Sequence, residues 1–213
     1  QKASLLYNHS GINDFSKNKM HNNKLKQLIL KNKNLYLTIS SDKVENDNDF
    51  LNAVASALNN GVQIIQLKDK HSSPKRIVEL GRKLREVTSL FDALFFINGR
   101  ADIAYALDTD GIHLEEDDLC IHTVRTILGN NKIAGISAKN SQQLSEAIKE
   151  NADYITISDN LIDKIPLLKM PYFLEPDNIE NLNLLIKQGI RRFALNEDIL
   201  KTNPDILQKL RQN

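Results

Sequence analysis

From Leu35 to Asn196 the chain repeats one motif: a short apolar run, a polar turn, a helical pattern, then the next run. The runs are Leu35–Ser40, Gln63–Lys68, Leu94–Asn98, Gly111–Leu114, Lys132–Ser137, Tyr154–Ser158, Pro171–Glu175 and Arg192–Asn196, most of them rich in Ile, Val, Leu, Phe and Tyr. Short apolar runs joined by helices read as β-α-β units, which make parallel strands. The clearest unit runs from Ala93 to Asp118, with a helix expected on Ala101, Ile103, Ala104 and Leu107. Eight such strands over about 180 residues predict an α/β fold, a compact (β/α)8 TIM barrel; an open doubly wound sheet is the structural alternative.

The helical patterns agree with this. Phe50–Leu58 carries apolar residues at helical spacing, and Pro74 follows Ser72-Ser73 at the start of a helix that runs to Leu90. Ser141–Glu150 and Asn178–Lys187 give two more, the second ending before Gly189. Glu197–Arg211 is expected as two short helices split at Pro204, and Lys24–Leu30 as a short helix before the first strand. Residues 159–170 show no clear helix.

Charge divides the chain unevenly. Residues 1–34 hold seven Lys and one acid, whereas the remaining 179 residues carry 21 basic and 26 acidic groups. The expected organisation is a basic, mostly irregular extension or linker over 1–34 and a barrel domain over 35–213. A basic arm suits nucleic acid or a solvated linker. This one is rich in Asn and nearly free of aromatics, which favours a linker or docking segment, so nucleic acid is not the expected partner. No apolar run reaches the roughly 18 residues of a membrane helix. The single cysteine, Cys120, excludes an internal disulfide and suits a reducing, cytoplasmic setting. The chain begins with Gln rather than Met, which leaves open whether it is a fragment of something longer.

A parallel barrel places its chemistry at the C-terminal ends of its strands. Those ends carry Gln66, Lys68 and Lys70, Asn98, the cluster Glu115–Asp118, and Ser137. Strand alternation sends 66, 68 and 70 to one side, although lysines at a strand end also occur simply as solvated residues. His113 within a short strand reads more readily as a satisfied core residue than as a catalyst. Cys120 has no partner at zinc-ligand spacing except His122, and dinucleotide, Walker and nucleophile-elbow motifs are absent.

Taken together, the motifs resemble a family. Gln66-Leu67-Lys68-Asp69-Lys70 resembles the Q-L-R-x-K of thiamine phosphate synthases and their TenI-like relatives. Asn98-Gly99-Arg100-Ala101-Asp102-Ile103-Ala104 resembles N-D-R-x-D-x-A. Thr109 to Leu114 with Glu116-Asp117-Asp118 resembles A-D-G-V-H-L-G-Q-E-D. Ile133 to Ser137 is similar to I-I-G-x-S, and Ala152 to Ile155 to A-D-Y-I.

The resemblance implies a transferase of thiamine metabolism that joins hydroxymethylpyrimidine diphosphate to thiazole phosphate and releases pyrophosphate. It implies a pyrimidine or phosphate ligand, with Lys68 and Lys70 as cations for the leaving group, Lys164 as the loop lysine, and Gln66, Asn98 and Ser137 as substrate-binding residues. Asp118 matches an acid that helps to hold Mg²⁺, as a hard oxygen ligand should. The family's second metal-binding acid falls at Gly99, which cannot ligate, so Asp117, Glu116 or Asp69 would have to compensate.

Departures cluster in the second half. Ser158 to Lys164 stands where the family has G-P-V-F-x-T-x-T-K. Phe173-Leu174-Glu175-Pro176-Asp177 replaces the I-G-G-I whose amides cradle a phosphate. The last strand ends in Asn196-Glu197-Asp198, and acids at helix starts take the place of an anion. The expectation is therefore a thiamine-phosphate-synthase-like barrel, weakened or inactive, the alternative being a non-catalytic TenI-like or Nudix-associated small-molecule-binding barrel. Asn-Gly in place of Asn-Asp also resembles the synthase-like domain fused behind a Nudix hydrolase, so a covalently attached upstream Nudix domain is a further expectation, although no Nudix box lies in this chain. Homo-oligomeric association stays open.

Overall fold

The computed structural model describes residues 22–40, 46–202 and 205–212. Eight parallel strands close into a barrel in sequence order. They are β1 (Leu35–Ile39), β2 (Ile64–Leu67), β3 (Leu94–Asn98), β4 (Gly111–Leu114), β5 (Ile133–Ala138), β6 (Tyr154–Ser158), β7 (Tyr172–Glu175) and β8 (Phe193–Asn196). Closure is made by β1 on β8, Leu35 pairing with Phe193 and Thr38 with Asn196. A helix over 22–31, α1, precedes the barrel. The outer layer is α2 (Asp47–Asn59), α3 (Pro74–Leu90), α4 (Ala101–Ala106), α5 (Ile121–Leu128), α6 (Ser141–Lys149), α7 (Ile179–Lys187), α8 (Glu197–Thr202) and α9 (Ile206–Gln212).

The expected strands are all present, with bounds moved by a residue or so at several ends. The closing helical region is two helices; Pro204, expected at the split, lies outside the described residues. The stretch without a clear helix is a 3-10 segment, Asp159–Leu167, with Pro166 inside it. α5 has no counterpart in the sequence reading: its N-cap is Cys120, which makes no side-chain capping bond. Four other helices have chemical caps: Asn46, Ser73, Asn140 and Asn178 each accept the amide three residues on.

Two apolar cores follow from strand alternation. Side chains of one parity, such as Leu37, Ile65, Phe95, Ile112 and Ile155, pack under the helices. Those of the other parity, Tyr36, Ile64, Phe96, Ile133, Tyr154, Phe173 and Ala194, fill the barrel interior. Leu30 of α1 is fully buried in this inner cluster and closes the barrel at the N-terminal ends of its strands. Of the extension expected over 1–34, residues 1–21 lie outside the described residues, while 22–31 form this plugging helix. It is held by Lys26, whose ammonium meets the Asp153 carboxylate at 3.1 Å with both side chains buried. Arg192 donates to the carbonyls of Leu30 (2.9 Å) and Lys31 (3.1 Å) at the helix end.

Candidate functional site

Above the aromatic plug the barrel interior turns polar, because the inward residues that follow on most strands are hydrophilic: Thr38, Gln66, Asn98, His113, Thr156, Glu175 and Asn196. Gln66 Oε1 accepts from the Tyr36 hydroxyl at 2.6 Å and from Thr38 Oγ1 at 3.2 Å. Tyr36 and Tyr154 hydroxyls lie 3.1 Å apart, and Tyr154 meets His113 Nδ1 at 2.9 Å. On the other side of the ring, His113 Nε2 meets Ser137 Oγ at 2.8 Å, and Ser137 meets Thr156 Oγ1 at 3.0 Å. Each hydroxyl has one proton to give. Tyr36 gives its own to Gln66, so it accepts from Tyr154, which in turn accepts from His113. That fixes the Nδ1–H tautomer and leaves Nε2 to accept from Ser137. Burial pushes the His113 pKa down to about 4, the nearby Glu115 charge opposing this and Lys68 adding to it. Burial likewise raises both tyrosines well above their ordinary value. Among the described residues no buried side-chain nitrogen or oxygen lacks a partner.

The mouth lies one layer higher, where Lys68, Asn98, Glu115 and Glu175 share the inward parity. Lys68 and Lys70 both bind Glu115: Lys68 through Oε1, Lys70 through Oε2 at 2.8 Å. Burial pushes the Glu115 carboxyl up, but its bonds to Lys68 and Lys70 more than offset this and leave it at about 2. The amide of Glu115 donates to Asp118 Oδ2 at 2.8 Å, and the amide of Asp118 donates back to the Glu115 carbonyl at 3.1 Å, so residues 115–118 form a closed turn. Asp118 also covers Gly99, whose φ of +68° suits glycine; a Cβ built there would lie 2.5 Å from Asp118 Oδ1.

Asn98 donates to the His113 carbonyl at 3.2 Å, tying β3 to β4. Glu175 ends β7 beside Thr156. Burial raises its pKa, against the hydrogen bond from Thr156 and the charges of Lys68 and Lys139. Lys164 stands apart: it lies on the 3-10 segment and pairs with its neighbour Asp163 at 2.8 Å. Gln66, Lys68, Lys70, Asn98, Asp118 and Ser137 are thus gathered at one end of the barrel, and no bond joins Lys164 to them among the described residues.

Glu115, which the sequence places only as the first member of an acidic cluster at a strand end, is the mouth residue whose role sequence reasoning missed. A usable signal was present, since the motif quoted for this stretch has glycine where Glu115 stands. Tyr36, Tyr154 and Thr156 read as ordinary strand residues and gave no such signal.

A Mg²⁺ site needs hard oxygen donors around one point. Here both Glu115 oxygens are on lysines, Asp118 Oδ2 is on an amide, and position 99 has no side chain. Asp69 accepts the amides of His71 and Ser72 through Oδ1, and Glu116 accepts from Gln143 through Oε2. Among the described residues no three His, Cys, Asp or Glu are grouped to hold an ion. The donors present do not fit a site that takes Mg²⁺ unaided.

Comparison with known proteins agrees with this geometry. The family model for thiamine monophosphate synthase (TMP-TENI) matches residues 35–160, ending just after β6. A thiamine-phosphate synthase of Clostridioides difficile is 30% identical over 196 residues, covering 83% of this chain and 91% of that protein. One from Methanobrevibacter smithii is 34% identical over 128 residues, covering 60% of this chain and 61% of its relative. Among solved structures, thiamine phosphate pyrophosphorylase from Pyrococcus furiosus superposes with a TM-score of 0.72 at 27% identity, covering 86% of this chain and 96% of the other. With a closed eight-stranded barrel, a polar mouth at the strand ends and this span of similarity, the chain belongs to the thiamine monophosphate synthase family.

Proposed function

We propose that this barrel binds the pyrimidine side of the family's chemistry and is weak or inactive as a thiamine phosphate synthase. The observation that carries the reading is that Lys68 and Lys70, the cations expected to face a leaving diphosphate, both bind Glu115. Stabilising charge on pyrophosphate oxygens requires fixed cations aimed at that charge, and here an internal carboxylate takes them. The other phosphate position is opposed by Glu175 and by Pro176, which offers no amide hydrogen. The pyrimidine-facing residues are intact by contrast, since Gln66 and Ser137 are held in register by the buried network.

Asp118 is the residue that would meet Mg²⁺ carried in with a diphosphate, without a second carboxylate at position 99. Lys164, on the 3-10 segment, would have to leave Asp163 to reach a phosphate. The ligand is a small pyrimidine or phosphate compound. No helix among the described residues is long and apolar enough to cross a membrane. A cytoplasmic setting, self-association and an upstream Nudix domain belong to the same proposal.

The test is calorimetry with hydroxymethylpyrimidine diphosphate, with and without Mg²⁺, followed by thiazole phosphate and assay for thiamine phosphate. Weak binding of the diphosphate, without product, is the expected result. Product formed at a rate that Lys68→Met abolishes would establish a working synthase instead.

A further inference from the structure

Glu115 is placed as a ligand would be. It sits just past β4, turned to the barrel mouth, and presents one oxygen to each of two ammonium groups that come from the far side of β3. The bonds are those that one edge of a phosphate would make to the same pair. Its position is fixed rather than draped: the Glu115 amide is held by Asp118, and Asp118 is seated on Gly99, where no side chain competes. The carboxylate is three-quarters covered, at 24% exposure, against 36% for Lys68 and 59% for Lys70. Water therefore screens this contact less than a surface pair.

An incoming diphosphate must break both bonds and then lie beside the displaced carboxylate. Glu175 places a second carboxyl near Lys68 and Glu115 from β7. An uncharged ligand meets neither cost. Its pyrimidine edge can use Gln66, Ser137 and Asn98 while the Lys68–Glu115–Lys70 cluster stays closed. We propose that Glu115 is an internal anion that fills the cation pair and sets the charge class of the ligand, so that the site takes the pyrimidine alcohol in preference to its diphosphate. This rests on the pyrimidine-binding reading above for the ring, and on the Glu115 geometry alone for the charge.

The experiment titrates inorganic pyrophosphate, and separately hydroxymethylpyrimidine, into the wild-type chain, E115Q and E115G, with folding followed by circular dichroism. Both variants should bind pyrophosphate roughly tenfold or more tightly than wild type, and the gain should fall with added salt. Lys68→Met in the E115Q background should remove it. In the wild type, the methyl signals of reductively ¹³C-methylated Lys68 and Lys70 should stay still as pyrophosphate is added. Wild-type binding as tight as that of the variants, movement of those signals in the wild type, or no gain in either variant overturns the proposal. If pyrophosphate binding rises as expected but the pyrimidine binds no form, the pyrimidine reading fails while the assignment of Glu115 stands.

Discussion

The ring of Tyr154 occupies the space that a side chain on Gly135 would need. A Cβ built on Gly135 would come within 2.1 Å of that ring. The two residues are register partners on β5 and β6, so the tyrosine can lean across its neighbour only because that neighbour has no side chain.

Gly135→Ala should therefore displace Tyr154 and break its bonds to Tyr36 and His113. Overpacking of this kind costs about 1–3 kcal/mol. Urea denaturation should show the loss, with far-UV dichroism retained and the near-UV tyrosine signal changed. An unchanged midpoint would mean that the ring has room to move.

His113 makes acid stability steep. Its pKa in the fold is about 4, below the ordinary 6.5, because burial disfavours the charged ring. The unfolded chain thus takes up a proton that the folded chain refuses. This contribution to stability is full above pH 6.5, falls between 6.5 and 4, and levels off below. The slope in that window is about 1.4 kcal/mol per pH unit from this group. His113→Gln should flatten it; equal slopes for both proteins would reassign the effect to other groups.

Removing either partner of the Lys26–Asp153 pair should cost different amounts. Asp153 also accepts the Ala134 amide at 2.9 Å and lies 3.2 Å from Arg125. Burial lowers the Lys26 pKa, and Asp153 is the charge that opposes this. Asp153→Ala strands a buried ammonium and an amide, so about 3–5 kcal/mol should be lost. Lys26→Met leaves Asp153 still partnered and should cost clearly less. Thermal unfolding of the two variants decides the order.

Gly99→Asp would put a second carboxylate where the family pattern has one, yet it should not rescue Mg²⁺ binding by itself. The positive φ costs about 1 kcal/mol or more for a residue other than glycine, and Asp118 must first swing away. A Mg²⁺ titration followed by calorimetry should show no heat for this variant unless a diphosphate is added with the ion.

Sequence made the strands legible because a parallel barrel buries both faces of each one. Leu94–Asn98, Gly111–Leu114 and Tyr154–Ser158 read as short, mostly apolar runs, and their bounds match the structure residue for residue. α5 was illegible for the opposite reason: it is short, follows an acidic turn and starts at Cys120 without a capping side chain. The 3-10 segment carries Pro166, which interrupts any helical pattern. At the site, alternation alone put Gln66 and Lys68 on the inward face. The bond from Lys68 to Glu115 spans 47 residues and skips a strand, so no local pattern announces it. An isolated run of acids reads as a solvated turn, and only the closed barrel turns its first member toward two lysines.

The plug formed by Leu30, Tyr36, Phe96, Tyr154 and Phe173 has a consequence for ligand traffic. With the N-terminal end stoppered and the middle filled, the barrel is a shallow dish with one opening, not a tunnel. Anything that binds must arrive and leave by the same rim, and the reach of the loops around that rim sets its size. Charge changes at the rim, such as those at Glu115 and Glu175, then alter what the dish will hold while leaving the floor that supports it untouched.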